Sequence, residues 1–321
     1  MLIIRANGSI ARARAEDELA RAYRDENASV WVHFDRRPNP EDLEFLSDLL
    51  GLGELATEHL SRTHIGPRAS RFQTYMLTVF YDVTLSDDTS QLEKREGVLL
   101  FSTRYLISVL DGASPRIAQV TEHVDRALRR YGVEIAAIVF ALLESIADHY
   151  LQVVKEVRQR VEILEERVLQ QEQQEAIADL YQLRRQLIAL RRVIAPEATL
   201  IGSRETPNPF VLNPDLQDGA LDIKHKLQSA VDEIDQDLSL LPDILTTFES
   251  LKSDNLNRIL KLLTVWSIIL TAVALFPTIL GISLSREPSV SPYIGYLVSV
   301  VTMVLVGGAI WYAFKRRGWI D

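Results

Sequence analysis

Hydroxyl side chains recur every seven residues in an apolar segment near the carboxyl end of the chain. Asn257, Thr264, Thr271 and Thr278 form one row, and a second row interleaves with it: Leu260, Ser267, Ala274 and Gly281. This spacing places both rows on one face of a helix. Such a face in a membrane helix is typical of close helix packing, in which the hydroxyls also bond back to the preceding turn. The alternative is a pore lining in a symmetric oligomer, and Asn257, in register with the threonines, favours it.

Acidic residues crowd the segment that precedes this face. They are Asp215, Asp218, Asp222, Asp232, Glu233, Asp235, Asp237 and Asp243. Most runs of this kind are solvated helix faces. The histidines are scattered: His59 and His64 flank a loop, and no i,i+4 pair on a helix supports a zinc site. The chain has no P-loop, nucleophile elbow or recognisable pair of catalytic carboxylates, so we predict that it is not an enzyme.

Two apolar segments are long enough to cross a membrane. Residues 262–284 and 293–314 are uncharged, and each can span a hydrocarbon core of about 30 Å. The connection at 285–292 is short, so the spans form an antiparallel hairpin. Basic residues lie outside both spans, at Arg258 and Lys261 and at 315–317, which places both termini in the cytoplasm. One hairpin encloses little space, so a transport path needs several copies around an axis.

The residues before the spans predict a soluble α+β domain and long helices. Within residues 1–130 the pattern predicts strands and one helix. The strands are 30–34, 72–83, 97–101 and 105–110, and the helix is 41–50.

Residues 133–194 contain neither proline nor glycine, which predicts either two antiparallel helices with a turn at 170–175 or one long helix. We expect a break at 196–214. A final helix then begins near Asp215, is kinked or interrupted at Pro242, and continues into the first span.

Charge and cysteine content exclude other classes of protein. The net charge of −9 gives no basic stripe for nucleic acid, and the absence of cysteine excludes disulfides and thiolate metal sites. The apolar run after Met1 is too short for a signal peptide, so the domain before the spans is expected in the cytoplasm.

Five stretches of the chain resemble stretches of one known family. They are "VWVHFD" at 30–35, "LEFLSDLLGLGELATEHL" at 43–60, "YLISVLDG" at 105–112, "NLNRILKLLTVWSII" before and within the first span, and "FKRRGWI" after the second. The family that they resemble is the CorA superfamily of divalent-cation channels and transporters, which includes ZntB-like zinc transporters. The fourth stretch resembles the family's stalk end entering the first span, and the fifth resembles its basic tail. The resemblance implies a funnel-shaped homopentamer in the inner (plasma) membrane. Its cytoplasmic α+β domain would carry a long helical stalk, and the first of two C-terminal spans would line the pore.

The tripeptide at the end of the first span departs from the family signature. The family has Gly-Met-Asn, or Gly-Val-Asn in zinc-transporting relatives, where this chain has Gly281-Ile282-Ser283. Amide oxygens suit hydrated Mg²⁺, which sheds water reluctantly, and Ser is shorter. We therefore expect a selectivity ring that is not specific for Mg²⁺, with divalent or monovalent cations as the transported ions and no cofactor.

A first span that lines the pore gives the residues of this face roles along the path. Ions would pass Ser283, Gly281 and the threonines; Leu260 and Leu263 would form an apolar gate, and Asn257 would line the exit. Asp222 matches a stalk carboxylate that senses divalent ions, with Asp82, Asp87 or Asp88 as its partner. The alternative function is a non-conducting structural or regulatory membrane scaffold on the same fold.

Overall fold

The computed structural model describes residues 1–5, 8–13, 15–85, 92–112, 114–132, 134–170, 173–201, 214–284 and 292–319. The chain divides into two compact units, Met1–Asp243 and Ile244–Asp321.

The first unit contains a mixed seven-stranded sheet. Its strands are β1 (Leu2–Arg5), β2 (Ile10–Arg12), β3 (Ala28–Phe34), β4 (Arg68–Arg71), β5 (Met76–Leu85), β6 (Leu92–Phe101) and β7 (Tyr105–Leu110). The order is β2-β1-β3-β7-β6-β5-β4; β3 and β7 pair in parallel, and the other pairs are antiparallel. The predicted strands at 30–34, 97–101 and 105–110 are confirmed. The strand predicted at 72–83 begins later, at Met76, because the chain first turns between β4 and β5.

Seven helices of the described chain lie wholly in this unit. They are α1 (Glu16–Tyr23), α2 (Pro40–Leu50), α3 (Glu54–Ser61), α4 (Pro115–Glu122), α5 (Val124–Tyr131), α6 (Ile135–Leu169) and α7 (Gln173–Leu200). The predicted helix at 41–50 is confirmed as α2. Asn39 and Asp42 form a capping box at its start, and Gly51 ends it with a φ of 68°. Glycine adopts that left-handed conformation without a steric penalty.

Helices α6 and α7 confirm the two-helix interpretation of residues 133–194. Arg167 near the end of α6 forms an ion pair with Asp179 of α7 at 2.6 Å. The turn residues 171–172 lie outside the described residues. Helix α7 passes Pro196 and ends at Leu200, so the predicted start of the break was too early. Residues 202–213 are outside the described chain.

Helix α6 packs on the sheet through side chains that reach backbone groups of β5. The Tyr150 hydroxyl contacts the carbonyl oxygen of Tyr81, and His149 Nε2 lies 2.6 Å from the carbonyl oxygen of Val83. Glu197 of α7 completes this contact. Its Oε1 lies 3.0 Å from the Tyr150 hydroxyl and 3.2 Å from the Tyr81 amide nitrogen. These bonds tie two helices to one strand.

Helix α8 (Pro214–Leu284) runs through the boundary between the two units, and α9 (Pro292–Arg316) lies in the second. Helix α8 is continuous through Pro242, so Pro242 does not interrupt it, and the alternative of a kink stays a prediction. Proline removes one helix hydrogen bond. Its neighbours Leu241 and Ile244 are buried, and their packing contributes to holding the helix together.

Candidate ion pathway and regulatory site

Three described helices are long and apolar enough to cross a membrane: α6, α8 and α9, with mean hydropathies of 1.4, 1.8 and 2.0 in their most apolar stretches. The three helices differ in how much of their most apolar stretch is buried within the chain. That stretch is 61% buried in α6, against 6% in α8 and 0% in α9. Helix α6 therefore owes its apolar composition to the protein core, whereas the apolar stretches of α8 and α9 remain uncovered within the single chain.

The hydroxyl-bearing face of α8 points away from α9. Gly307 of α9 lies so close to α8 that a Cβ atom added there would be 3.2 Å from Val273 Cγ2. With 3.6 residues per turn, Val273 points about 160° away from Thr271 around the helix. The predicted pore-lining residues whose burial is described are all exposed: Asn257, Leu260, Leu263, Thr264, Ser267, Thr271 and Ala274. This face is thus exposed to the outside of the protomer.

The threonine hydroxyls of this face bond back to the helix. Thr264 Oγ1 donates to the Leu260 carbonyl oxygen at 2.8 Å, and Thr271 Oγ1 donates to that of Ser267 at 2.7 Å. Thr302 of α9 makes the same bond to Val298 at 2.8 Å, so the bond is not peculiar to the predicted lining. A hydroxyl that donates its proton in this way keeps oxygen lone pairs, which are acceptors. The exposed hydroxyl oxygens of Thr264 and Thr271 can therefore act as acceptors toward a cation.

The predicted selectivity residues Gly281, Ile282 and Ser283 lie in the last turns of α8. The side chains of these residues and of Thr278 are outside the described part of the structure, as is the connection at 285–291. Their role therefore remains a prediction.

Asp222, the predicted regulatory ligand, forms an ion pair with Lys226 one turn later on α8. Its Oδ2 lies 3.5 Å from Lys226 Nζ. The same ammonium lies 3.1 Å from Glu144 Oε1 and 2.8 Å from Asp148 Oδ1, both on α6. The sequence did not indicate this convergence of three carboxylates on one lysine. Alternating acids and bases on a helix face are common, so no local signal distinguished Lys226.

Asp82, one of the three candidate partners of Asp222, is occupied by two guanidinium groups. Its Oδ2 lies 3.1 Å from Arg95, its Oδ1 contacts Arg116, and its side chain is 1% exposed. Two cations already neutralise this carboxylate, which disfavours it as a metal ligand. The other candidates, Asp87 and Asp88, lie outside the described residues.

The two histidines that flank a loop, His59 and His64, form a buried contact that the sequence did not predict. His59 Nδ1 lies 3.3 Å from His64 Nε2, and His64 Nδ1 lies 2.9 Å from Glu96 Oε1. The spacing of five residues gives no helical signal because His64 lies in the loop after α3. Burial is the largest effect that lowers the pKa of His59, with Arg62 next. Across the described ranges, no group of three or more His, Cys, Asp or Glu side chains is arranged to hold a metal ion.

Known proteins share both the sequence and the fold of this chain. The cobalt/magnesium transport protein CorA of Thermotoga maritima is 20% identical over 305 residues, which cover 93% of this chain and 85% of that protein. The zinc transport protein ZntB of Cronobacter sakazakii is 19% identical over 294 residues, or 91% of this chain and 89% of that one. The structure of the CorA magnesium transporter from Methanocaldococcus jannaschii superposes with a TM-score of 0.73. That comparison has 16% identity and covers 99% of this chain and 98% of the other.

The family described as CorA-like Mg²⁺ transporter protein matches residues 26–316, which is most of the chain. That match begins after β1, β2 and α1, and it includes the other strands and helices and both apolar segments. The chain therefore belongs to the CorA-like Mg²⁺ transporter family, as its resemblance implied.

Proposed function

We propose that this protein is a homopentameric channel or transporter for metal cations in the inner (plasma) membrane. Members of its family are ion transporters rather than enzymes, so the prediction that it is not an enzyme is confirmed. The relatives named above transport cobalt, magnesium or zinc. The observation that carries the proposal is the exposed face of α8 with hydroxyl oxygens on the side opposite α9. Five copies of that face around an axis would line one path.

The proposed arrangement follows the apolar segments. Residues 1–130 form the cytoplasmic α+β domain, and residues 131–261 form cytoplasmic helices that include the stalk. Residues 262–284 and 293–314 cross the bilayer, joined by the extracytoplasmic loop 285–292. The basic tail 315–321 returns to the cytoplasm, as the positive-inside rule requires. The protein is then a multi-pass membrane protein with both termini on one side.

The proposed path enters at Ser283 and Gly281, passes Thr278, Thr271 and Thr264, and reaches the apolar constriction of Leu260 and Leu263. An apolar ring of this kind closes a channel by losing its water. Ser283 offers a hydroxyl where an amide oxygen would stand in the family signature. Because the shorter side chain gives a wider and weaker ring, we propose that the path is not selective for Mg²⁺.

Ion flux into liposomes that contain the purified protein tests the path. The ions compared are Mg²⁺, Zn²⁺, Co²⁺, Ni²⁺, Na⁺ and K⁺. Thr271→Leu is expected to reduce flux because it replaces an exposed oxygen by an apolar side chain, and Leu260→Asn is expected to raise it by wetting the gate. Thr302→Leu is the matched control, since Thr302 makes the same backbone bond on α9 but lies outside the lining. Unchanged flux for both lining variants, with the pentamer intact, would refute the path.

Ser283→Asn tests the selectivity ring and separates the two functions. A shift of flux toward Mg²⁺ in the variant is expected if Ser283 sets selectivity. If the native protein passes no ion and Ser283→Asn does, the non-conducting scaffold is the correct function.

A further inference from the structure

The ammonium group of Lys226 lies among three carboxylates that come from two helices. Glu144 and Asp148 belong to α6, and Asp222 and Lys226 to α8; the three nitrogen–oxygen distances are 2.8 to 3.5 Å. Glu144 also accepts a hydrogen bond from the Tyr131 hydroxyl at 2.9 Å and pairs with Arg130 at 3.0 Å. The lysine side chain is 23% exposed. One tethered cation therefore joins α8 to α6 beside the end of α5.

The carboxylates keep this lysine charged. Partial burial lowers the pKa of Lys226, but the hydrogen bonds to Asp148 and Glu144 outweigh it and raise the pKa to about 12. Burial acts against ionisation of Glu144 as well, yet its bonds to Tyr131 and Lys226 leave its pKa lowered. Both partners are thus ionised at neutral pH. Without the ammonium, three carboxylates would face one another across the α6–α8 contact. The Arg130 guanidinium beside Glu144 would offset part of their repulsion, and the remainder is unfavourable.

A divalent ion does not fit at this position together with the lysine. Mg²⁺ binds oxygen at about 2.0–2.1 Å and Ca²⁺ at 2.3–2.6 Å, so an ion shared by these carboxylates would have to occupy the place of the ammonium. Two cations in one place would also repel each other. Glu144, Asp148 and Asp222 therefore do not fit a divalent ion that all three share while the Lys226 ammonium lies between them.

We propose that Lys226 is a built-in cation that takes the place of a divalent ion between Glu144, Asp148 and Asp222, so that the α6–α8 contact is independent of divalent ions. Its regulatory meaning rests on the proposed transport function: the resting state of the stalk would not respond to divalent ions at Asp222. The structural part of the proposal does not depend on ion flux.

Thermal unfolding of the full-length protein in detergent tests the proposal, in EDTA and in millimolar MgCl₂ or CoCl₂ at matched ionic strength. The native midpoint is expected to be the same in all three solutions. Lys226→Met is expected to lower the midpoint by several degrees, and Lys226→Arg to recover most of that loss. Lys224→Met is the matched control, because Lys224 lies on the same helix and makes no ion pair with the described residues.

Two results would overturn the proposal. One is a native midpoint that falls on chelation and no longer responds to chelation in Asp222→Asn, which would mean that Asp222 holds a divalent ion. The other is a Lys226→Met protein as stable as the Lys224→Met control. If Lys226→Met does not fold, the chelation experiment on the native protein and Asp222→Asn still decides. Absence of ion flux would count against the proposed transport function and leave these melting results unaffected.

Discussion

Glu197 is a carboxylic acid enclosed between α6, α7 and strand β5. The residue is 6% exposed, and burial raises its pKa to about 8 from an ordinary value of 4.5. The Tyr150 hydroxyl has one proton and touches both the Tyr81 carbonyl oxygen and Glu197 Oε1. If the Tyr150 hydroxyl donates its hydrogen bond to the Tyr81 carbonyl oxygen, a protonated Glu197 can donate a hydrogen bond to the Tyr150 oxygen. Both contacts of the Tyr150 hydroxyl are then hydrogen bonds when Glu197 is protonated and neutral.

Glu197→Gln replaces the acid by a neutral side chain of the same shape. In the native protein the folded chain keeps the proton up to about pH 8, whereas the unfolded chain loses it near pH 4.5. The native state thus holds more protons between these values, so its stability falls as pH rises, by about 1.4 kcal/mol per pH unit. Below about pH 4.5 both states are protonated and this difference disappears. From about pH 5.5 to about pH 7.5 the native protein should lose about 3 kcal/mol relative to Glu197→Gln.

Thermal melting of both proteins across this pH range checks the prediction. For a domain of 150–250 residues, 3 kcal/mol corresponds to roughly 6–12 °C in melting midpoint. We expect the melting midpoint of the variant, relative to that of the native protein, to rise steadily with pH. The difference between the two midpoints should become constant above about pH 8. Curves that stay parallel from acid to alkaline pH would show that Glu197 is ionised in the fold.

Two other substitutions test the packing of the first unit. Gly97→Ala should destabilise the protein by about 1–3 kcal/mol, because the added Cβ would lie 2.2 Å from Phe80 Cζ inside the β5–β6 pair. A melting midpoint equal to that of the native protein would contradict this contact. Asp237→Leu should leave the melting midpoint unchanged or raise it. The Asp237 side chain is 0% exposed, its oxygens have no hydrogen bond to described residues, and Arg158 is 3.8 Å away. A loss of more than about 2 kcal/mol would show that the ion pair with Arg158 stabilises the fold.

Local patterns in the sequence were sufficient to predict the strands and helices whose apolar residues form one continuous run or face. Strands β3 and β7 follow from short runs of β-branched and aromatic residues, and α6 from a long stretch without proline or glycine. The apolar segments in α8 and α9 follow from length and lack of charge. In each case the information lies within neighbouring residues. The seven-residue spacing likewise placed the threonines of α8 on one face before the structure placed α9 opposite them.

Sequence patterns did not determine the effect of two prolines or the position of a short strand. The helices continue through Pro196 and Pro242, although proline costs a hydrogen bond in each. The three-residue strand β2 is held by its pairing with β1, and its own sequence carries too few residues for an alternating pattern.

The charged and buried polar contacts were decided by the tertiary structure alone. Lys226 meets Glu144 across 82 positions of sequence, and Glu197 meets the Tyr81 amide across 116. The sequence identified Asp222 as an acid on the final helix, but only the packing of α8 against α6 brought the lysine and two further carboxylates to it. Electrostatic energies depend on distances of a few ångströms and on burial. Composition and spacing along one helix fix neither quantity between residues of different helices.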